Sequence, residues 1–393
     1  MAETVLLALL LSALGGVLAG RAWARSRRRS YTLDRSGFRG SIHWIHGLDS
    51  LAAGRPGPAL TALSKVAREF PESFDLQVVL GRLLRETGQV EKAIQTHQAL
   101  SGRPDLNRTE RSFVISSLGE DYRRAGLVDR ATLAFEEALR IDPRNVHAVA
   151  GRQKLLEDQA LWTEAAEERE AISRLRKSDD SLVLAFLYTE QAHIAARAGR
   201  LEAAEHGYRR ALAVDSRVFP ARLGLAAVVA RKDPQRATEV LEKAIDAEPQ
   251  RAYLAFEALA TLYGILGEPG RFERRCEQLI RKNPRDWRAR VALARHLRER
   301  GSSEEAHGLL LKAVEANPQV LLVHLEMWKT LEALGILTES QHRYVETARQ
   351  AVFYRDPHVC TACRYRAQEM LWRCPHCHEW GTFIEEGPAP GAG

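Results

Sequence analysis

The stretch Leu118–Pro143, LGEDYRRAGLVDRATLAFEEALRIDP, decides the fold. Gly126 divides it into two short amphipathic halves. The first sets Leu118, Gly119 and Tyr122 on one face. The second sets Ala131, Phe135 and Ala138 at i, i+4 and i+7, and Pro143 stops it. The small residues Gly119 and Ala131 let two helices approach closely, while the large ones fill the space around them. One such hairpin cannot bury its own apolar face, so the pattern predicts neighbours of the same kind.

The same slots recur along the chain. Gly47, Ala59 and Pro71 repeat Gly119, Ala131 and Pro143, and Gly81 and Ala93 follow 34 residues after the first pair. The next step is 38 residues, which places a short insertion around Ser101–Arg108. Later copies put Ala165, Ala204, Ala237 and Ala306 in the slot of Ala131. One copy has Phe272 there and ends at Pro284. Eight hairpins result, with 147–177 and 182–216 departing furthest from the pattern, and Val320–Phe353 adds closing helix. The pattern resembles the tetratricopeptide repeat. That resemblance implies an all-α superhelix whose concave face holds a peptide or partner segment, by residues the sequence does not single out. Cys276 falls in the slot of Phe135 and reads as a small buried apolar residue rather than a reactive thiol. Trp162, Trp287 and Trp328 read as packing or helix-edge cover before partner contacts.

Composition agrees: 393 residues, 45% hydrophobic and 27% charged, with few alternating strand-like runs, are enough for a long helical array. The net charge of +6 is unevenly placed. Five arginines against Glu3 give +4 to residues 1–30, so residues 31–393 carry only +2. The helix faces mix arginine with glutamate, which argues for a solvated surface and against nucleic acid.

Val5–Ala19, VLLALLLSALGGVLA, is almost wholly apolar. Extended to Thr4–Trp23 it makes a helix of about 30 Å, the thickness of a bilayer core. A cleaved signal peptide carries positive charge before its apolar run. Here Glu3 precedes, and Arg21, Arg25, Arg27, Arg28 and Arg29 follow. The order favours an uncleaved anchor with the rest of the chain on the cytoplasmic side. Residues 24–40 then read as a basic juxtamembrane linker, attracted to anionic headgroups.

Four of the five cysteines lie in 358–384, HVCTACRYRAQEMLWRCPHCHEWGTFI. Cys360/Cys363 and Cys374/Cys377 form two CxxC knuckles separated by ten residues. Two knuckles supply four thiolates to one cation, a tetrahedral set suited to zinc or a single iron in a reducing compartment. A closed set of this kind is structural, and metal binding supplies the folding energy of so short a segment. Arg364 and His378 stand where iron knuckles usually have glycine, which weighs against iron. Trp372, Trp380 and Phe383 are expected to cover the knuckles or dock them onto the last repeat helices. His358, His376 and His378 read as surface residues, since four sulfurs complete the shell.

An anchor, a repeat array and a terminal WRCPHCHEW segment (372–380), with the entry YTLDRSGFRGSIHWIHGL (31–48), resemble the lipopolysaccharide assembly protein B family. The division this implies is 1–23 anchor, 24–40 linker, 41–353 repeats with closing helices, 354–386 rubredoxin-like or zinc-ribbon metal domain, and 387–393 tail. The resemblance implies a non-enzymatic, single-pass bacterial inner-membrane adaptor with one metal ion on four cysteines. It also implies partners: the membrane protease FtsH, the lipid A deacetylase LpxC and other lipopolysaccharide synthesis proteins. No GxSxG, HExxH, P-loop or GxGxxG is present to support an enzyme. A membrane-tethered scaffold for other envelope or secretion factors differs only in its clients.

Overall fold

The computed structural model describes residues 41–318, 320–337, 339, 341, 343 and 358–385. The expected anchor (1–23), linker (24–40), most of the closing helix beyond Gly335 and the tail (387–393) lie outside these residues. Among the described residues no helix is long and apolar enough to cross a membrane. The chain divides into two compact units, 1–159 and 160–393.

The first unit holds α1 (Ile42–Ala52), α2 (Pro56–Glu69), α3 (Phe74–Glu86), α4 (Val90–Ser101), α5 (Arg108–Arg124), α6 (Val128–Ile141) and α7 (Val146–Asp158). Gly126 turns α5 into α6 with φ +74°, a conformation that costs a side-chain-bearing residue strain. The insertion becomes the α4–α5 loop, and it closes with a capping box. The Glu110 N–H donates to Asn107 Oδ1 at 2.9 Å, and the Asn107 N–H donates to Glu110 Oε2 at 3.1 Å. Tyr122, Ala131, Phe135 and Ala138 are all buried in one cluster.

Each hairpin of this unit closes on a glycine under a larger side chain. Gly47 meets Leu63, Gly81 meets His97 and Gly119 meets Phe135. His97 is therefore a polar residue in an apolar slot, and α5 answers it. Asp121, completely buried, lies 2.5 Å from His97 Nδ1 and accepts from Arg85 Nη1 at 2.6 Å.

The second unit holds α8 (Trp162–Arg176), α9 (Ser181–Arg197), α10 (Leu201–Val214), α11 (Phe219–Val229) and α12 (Pro234–Ala247). A 3-10 turn (Pro249–Leu254) leads to α13 (Phe256–Ile265), α14 (Gly270–Lys282), α15 (Trp287–Glu299), α16 (Ser303–Ala316) and α17 (Leu321–Ala333). Ala165, Ala204, Ala237, Phe272 and Ala306 are all buried at their common slot. Cys276 is buried too, and burial pushes its thiol pKa up, as befits an inert core residue. Glu326 of α17 is buried between Arg295, Arg298 and Lys329, at 2.9, 3.0 and 3.0 Å. A short antiparallel sheet ends the described chain, in the order β2 (Arg366–Ala367), β1 (His358–Cys360), β3 (Phe383–Glu385).

Two outcomes follow from these buried carboxylates. Asp121→Asn leaves Arg85 and His97 facing an uncharged amide in the core, at a cost of roughly 3–5 kcal/mol; the urea midpoint of the first unit's transition reads it. Burial alone would raise the Glu326 pKa, but the hydrogen bond and charge of Arg295, with those of Lys329, outweigh it and hold the carboxyl below its ordinary value. Stability from a lowered carboxyl pKa is complete above the ordinary value and lost as pH falls through the lowered one. Glu326→Gln should therefore cost roughly 3 kcal/mol at neutral pH, and urea titrations should show that gap closing in acid.

A four-cysteine ribbon and its seat on the repeats

The two knuckles are built alike. The Arg364 N–H donates to the Cys360 carbonyl and the His378 N–H to the Cys374 carbonyl, each at 2.9 Å. The Cys360 N–H donates to the Tyr365 carbonyl at 2.8 Å, and the Cys374 N–H to that of Glu379 at 2.9 Å. Each knuckle thus turns back on itself within six residues. The turn forces the residue after its second cysteine into left-handed space, with φ +64° at Arg364 and +60° at His378. That is the position glycine normally fills, and here two large side chains hold it under strain.

The four sulfurs converge. Cys360 Sγ lies 3.7 Å from Cys377 Sγ, and Cys363 Sγ lies 3.6 Å from Cys374 Sγ. All four lie within 4.8 Å of one another, and the group consists of the cysteines alone. A tetrahedral ion with thiolates at about 2.3 Å sets its sulfurs about 3.8 Å apart, so the donor set fits one metal ion bound by four cysteines. Burial opposes thiolate formation. At Cys360 it is outweighed by hydrogen bonds from the Thr382 hydroxyl and from the backbone of Cys363 and Ala362, which hold the thiol at about 6. Burial leads the upward shifts at Cys363 and Cys377. Four thiolates in this space need a cation, which on binding supplies the charge that joins β1 to the second knuckle.

The histidines stand apart from the sulfur set. His358 is buried in β1 with Nδ1 3.2 Å from the Gln368 carbonyl oxygen, so it is no surface residue. The His376 ring stacks on Tyr365. Phe383 is wholly buried beside Cys360 and Cys374, inside the ribbon.

Trp372 and Trp380 do something else. The Trp380 ring stacks on Phe186 at 5.3 Å and meets Trp162 edge-on at 6.0 Å. Trp372 lies 6.3 Å from Phe186 and 6.4 Å from Phe219, with the Arg251 guanidinium over its ring. Gly381, at φ +66°, passes so close to Phe186 that a Cβ would lie 3.1 Å from its ring. At the far edge Arg288 Nε donates to Glu385 Oε2 at 2.6 Å, and its Nη2 donates to the same oxygen. The expectation that the tryptophans dock onto the last repeat helices is thus corrected. They dock onto α8, α9 and α11, because an aromatic cluster of matching size faces them there. Trp162 is accordingly a ribbon contact, beyond the packing role expected of it. The seat residues Phe186, Phe219, Arg251 and Arg288 carry no motif. One signal was present: Leu182–Tyr188 is apolar on more than one face of α9, and such a helix must be covered on more than one side.

Three outcomes test this geometry. Cys374→Ser with Cys377→Ser removes half the donor set, so elemental analysis should find the metal gone and hydrogen exchange should find 358–385 unprotected. Trp380→Ala should retain the metal yet free the ribbon from its seat, giving faster exchange in β1 and β3. Arg364→Gly and His378→Gly should each relieve roughly 1 kcal/mol of backbone strain, slowing metal loss to a chelator.

Residues 358–385 match a family described as a rubredoxin metal binding domain, and residues 50–104 and 258–320 match tetratricopeptide repeat families. Lipopolysaccharide assembly protein B of Escherichia coli K12 is 24% identical over 386 residues, covering 98% of both chains. The protein of that name from Haemophilus influenzae is 25% identical over 324 residues, 80% of each. Among solved structures, a thermophilic TPR protein from Thermus thermophilus is 20% identical, with 48% of this chain and 97% of that one covered at a TM-score of 0.31. The chain carries tetratricopeptide repeats and a four-cysteine metal ribbon, and it is similar along nearly its whole length to lipopolysaccharide assembly protein B.

Proposed function

We propose that this protein is a non-enzymatic adaptor of lipopolysaccharide synthesis, held at the bacterial inner membrane by residues 1–23 with its repeats and ribbon on the cytoplasmic side. The observation that carries this reading is the end-to-end similarity to lipopolysaccharide assembly protein B, which extends through both the 1–40 leader and the terminal ribbon. The chemistry is compatible with it. Helical hairpins offer a partner surface, and a closed four-sulfur shell leaves no coordination position for a substrate.

In this reading residues 24–40 link the anchor to repeats that run to 353, and 354–386 form the metal domain. The repeats gather FtsH and LpxC, and with them other lipopolysaccharide synthesis enzymes. Tethering alone raises the effective concentration of client beside protease, which promotes degradation without new chemistry. Depleting the protein should lengthen the half-life of LpxC severalfold in pulse-chase measurements. An unchanged half-life would sink the LpxC assignment, and crosslinking in cells would then identify the clients of a scaffold of another kind.

A further inference from the structure

In a helical repeat stack the terminal hairpin is exposed on one side, and a soluble array makes that side polar. The α1 helix does the opposite. Its counterparts on the next two hairpins, one repeat apart, show what the position normally does. Leu76 of α3 and Val114 of α5 are completely buried against the preceding hairpin. Ile42, in their slot, is 57% exposed, and Ile45 and Leu48 are 53% and 44% exposed. These three recur at i, i+3 and i+6, so they form one outward apolar stripe, while Gly47 and Ser50 face the core.

We propose that this outward stripe of α1 lies in the headgroup–acyl boundary of an anionic bilayer. The inference rests on the anchor reading of residues 1–23. The choice of occupant comes from the chain outside the structure. The described residues begin at Ser41, immediately before α1, and the leader's apolar run is separated from α1 only by residues 24–40. Seventeen residues reach at most roughly 60 Å when fully extended, so α1 is kept near the surface its leader enters. Charge agrees with an anionic surface. Asp49 on the exposed side is met by Arg55 at 3.4 Å, and Lys65 lines the same shallow depression as Asp49 beside α1. The linker adds Arg25, Arg27, Arg28 and Arg29. An apolar stripe flanked by basic groups is the arrangement that settles a helix in the bilayer interface.

The test uses the full chain in vesicles of phosphatidylethanolamine and phosphatidylglycerol. A diazirine-bearing leucine analogue replaces Ile45 in one variant and Leu133, 65% exposed on α6, in a control. On illumination, position 45 should give phospholipid adducts about tenfold above position 133. Equal yields, adducts to residues 1–40 of the same chain, or adducts to a second copy would each overturn the proposal. Alkaline carbonate extraction separates the two readings. A chain that washes off refutes the anchor and the stripe together, whereas a chain that stays without lipid adducts at position 45 refutes the stripe alone.

Discussion

Everything in the repeats depends on how closely two helices can approach. The crossing point in hairpin after hairpin is a glycine or alanine beneath a larger side chain, and the tolerance is small. A Cβ on Gly119 would come within 2.8 Å of Phe135, and one on Gly47 within 2.5 Å of Leu63. The pairing fixes helix separation, and helix separation fixes which side chains are left to meet the next hairpin. Residues that face the next hairpin are then free to vary in chemistry as long as they are matched. That is why the second hairpin tolerates His97 in an apolar slot. Asp121 from the following helix meets it at 2.5 Å, so the same geometry serves a hydrogen-bonded polar pair.

The ribbon solves a different problem. A segment of this size cannot bury enough apolar surface to hold its own fold. Two supports are visible. The sulfur set draws both knuckles to one point, and Phe383 is buried there between Cys360 and Cys374. The aromatic seat then covers the ribbon's outer face, with Trp372 and Trp380 against Trp162, Phe186 and Phe219. The Arg288–Glu385 pair pins β3 at the other edge, and Arg288 itself lies over Tyr253 and Trp287. Burial, with Glu385 second, raises the Tyr253 pKa, so its phenol stays neutral beside that pair.

The hairpins and the metal set could both be read from sequence because each is local. A helical face repeats within a few residues, and a knuckle within four. The seat could not, because Trp380 and Phe186 are far apart in sequence and no period links them. The stretches that depart furthest from the pattern, 147–177 and 182–216, include α8 and α9, two of the helices that meet the ribbon. Their extra apolar residues, Trp162 and Phe186 among them, serve a partner within the chain rather than the repeat. The buried position of His97 was hidden for a related reason. Periodicity places a side chain but does not say that a carboxylate from the next hairpin will meet it. The left-handed backbone at Arg364 and His378 lies between these cases: the glycine slot is visible in the spacing, and its strain only in the geometry.

Metal and seat act on the same equilibrium. Each binds the folded ribbon and neither can bind the unfolded segment in the same way, so each raises the population available to the other. The coupling is reciprocal by necessity. Whatever stabilises docking on Phe186 and Arg288 also tightens the hold of the four cysteines on their ion, and loading the ion strengthens docking. No wire between the two is needed, because Gly381–Thr382 belongs to both. The Gly381 N–H donates to the Trp372 carbonyl as the chain passes Phe186, and the next residue sets its hydroxyl 3.2 Å from Cys360 Sγ. A ribbon built this way makes metal occupancy a property of the repeats as much as of its own knuckles.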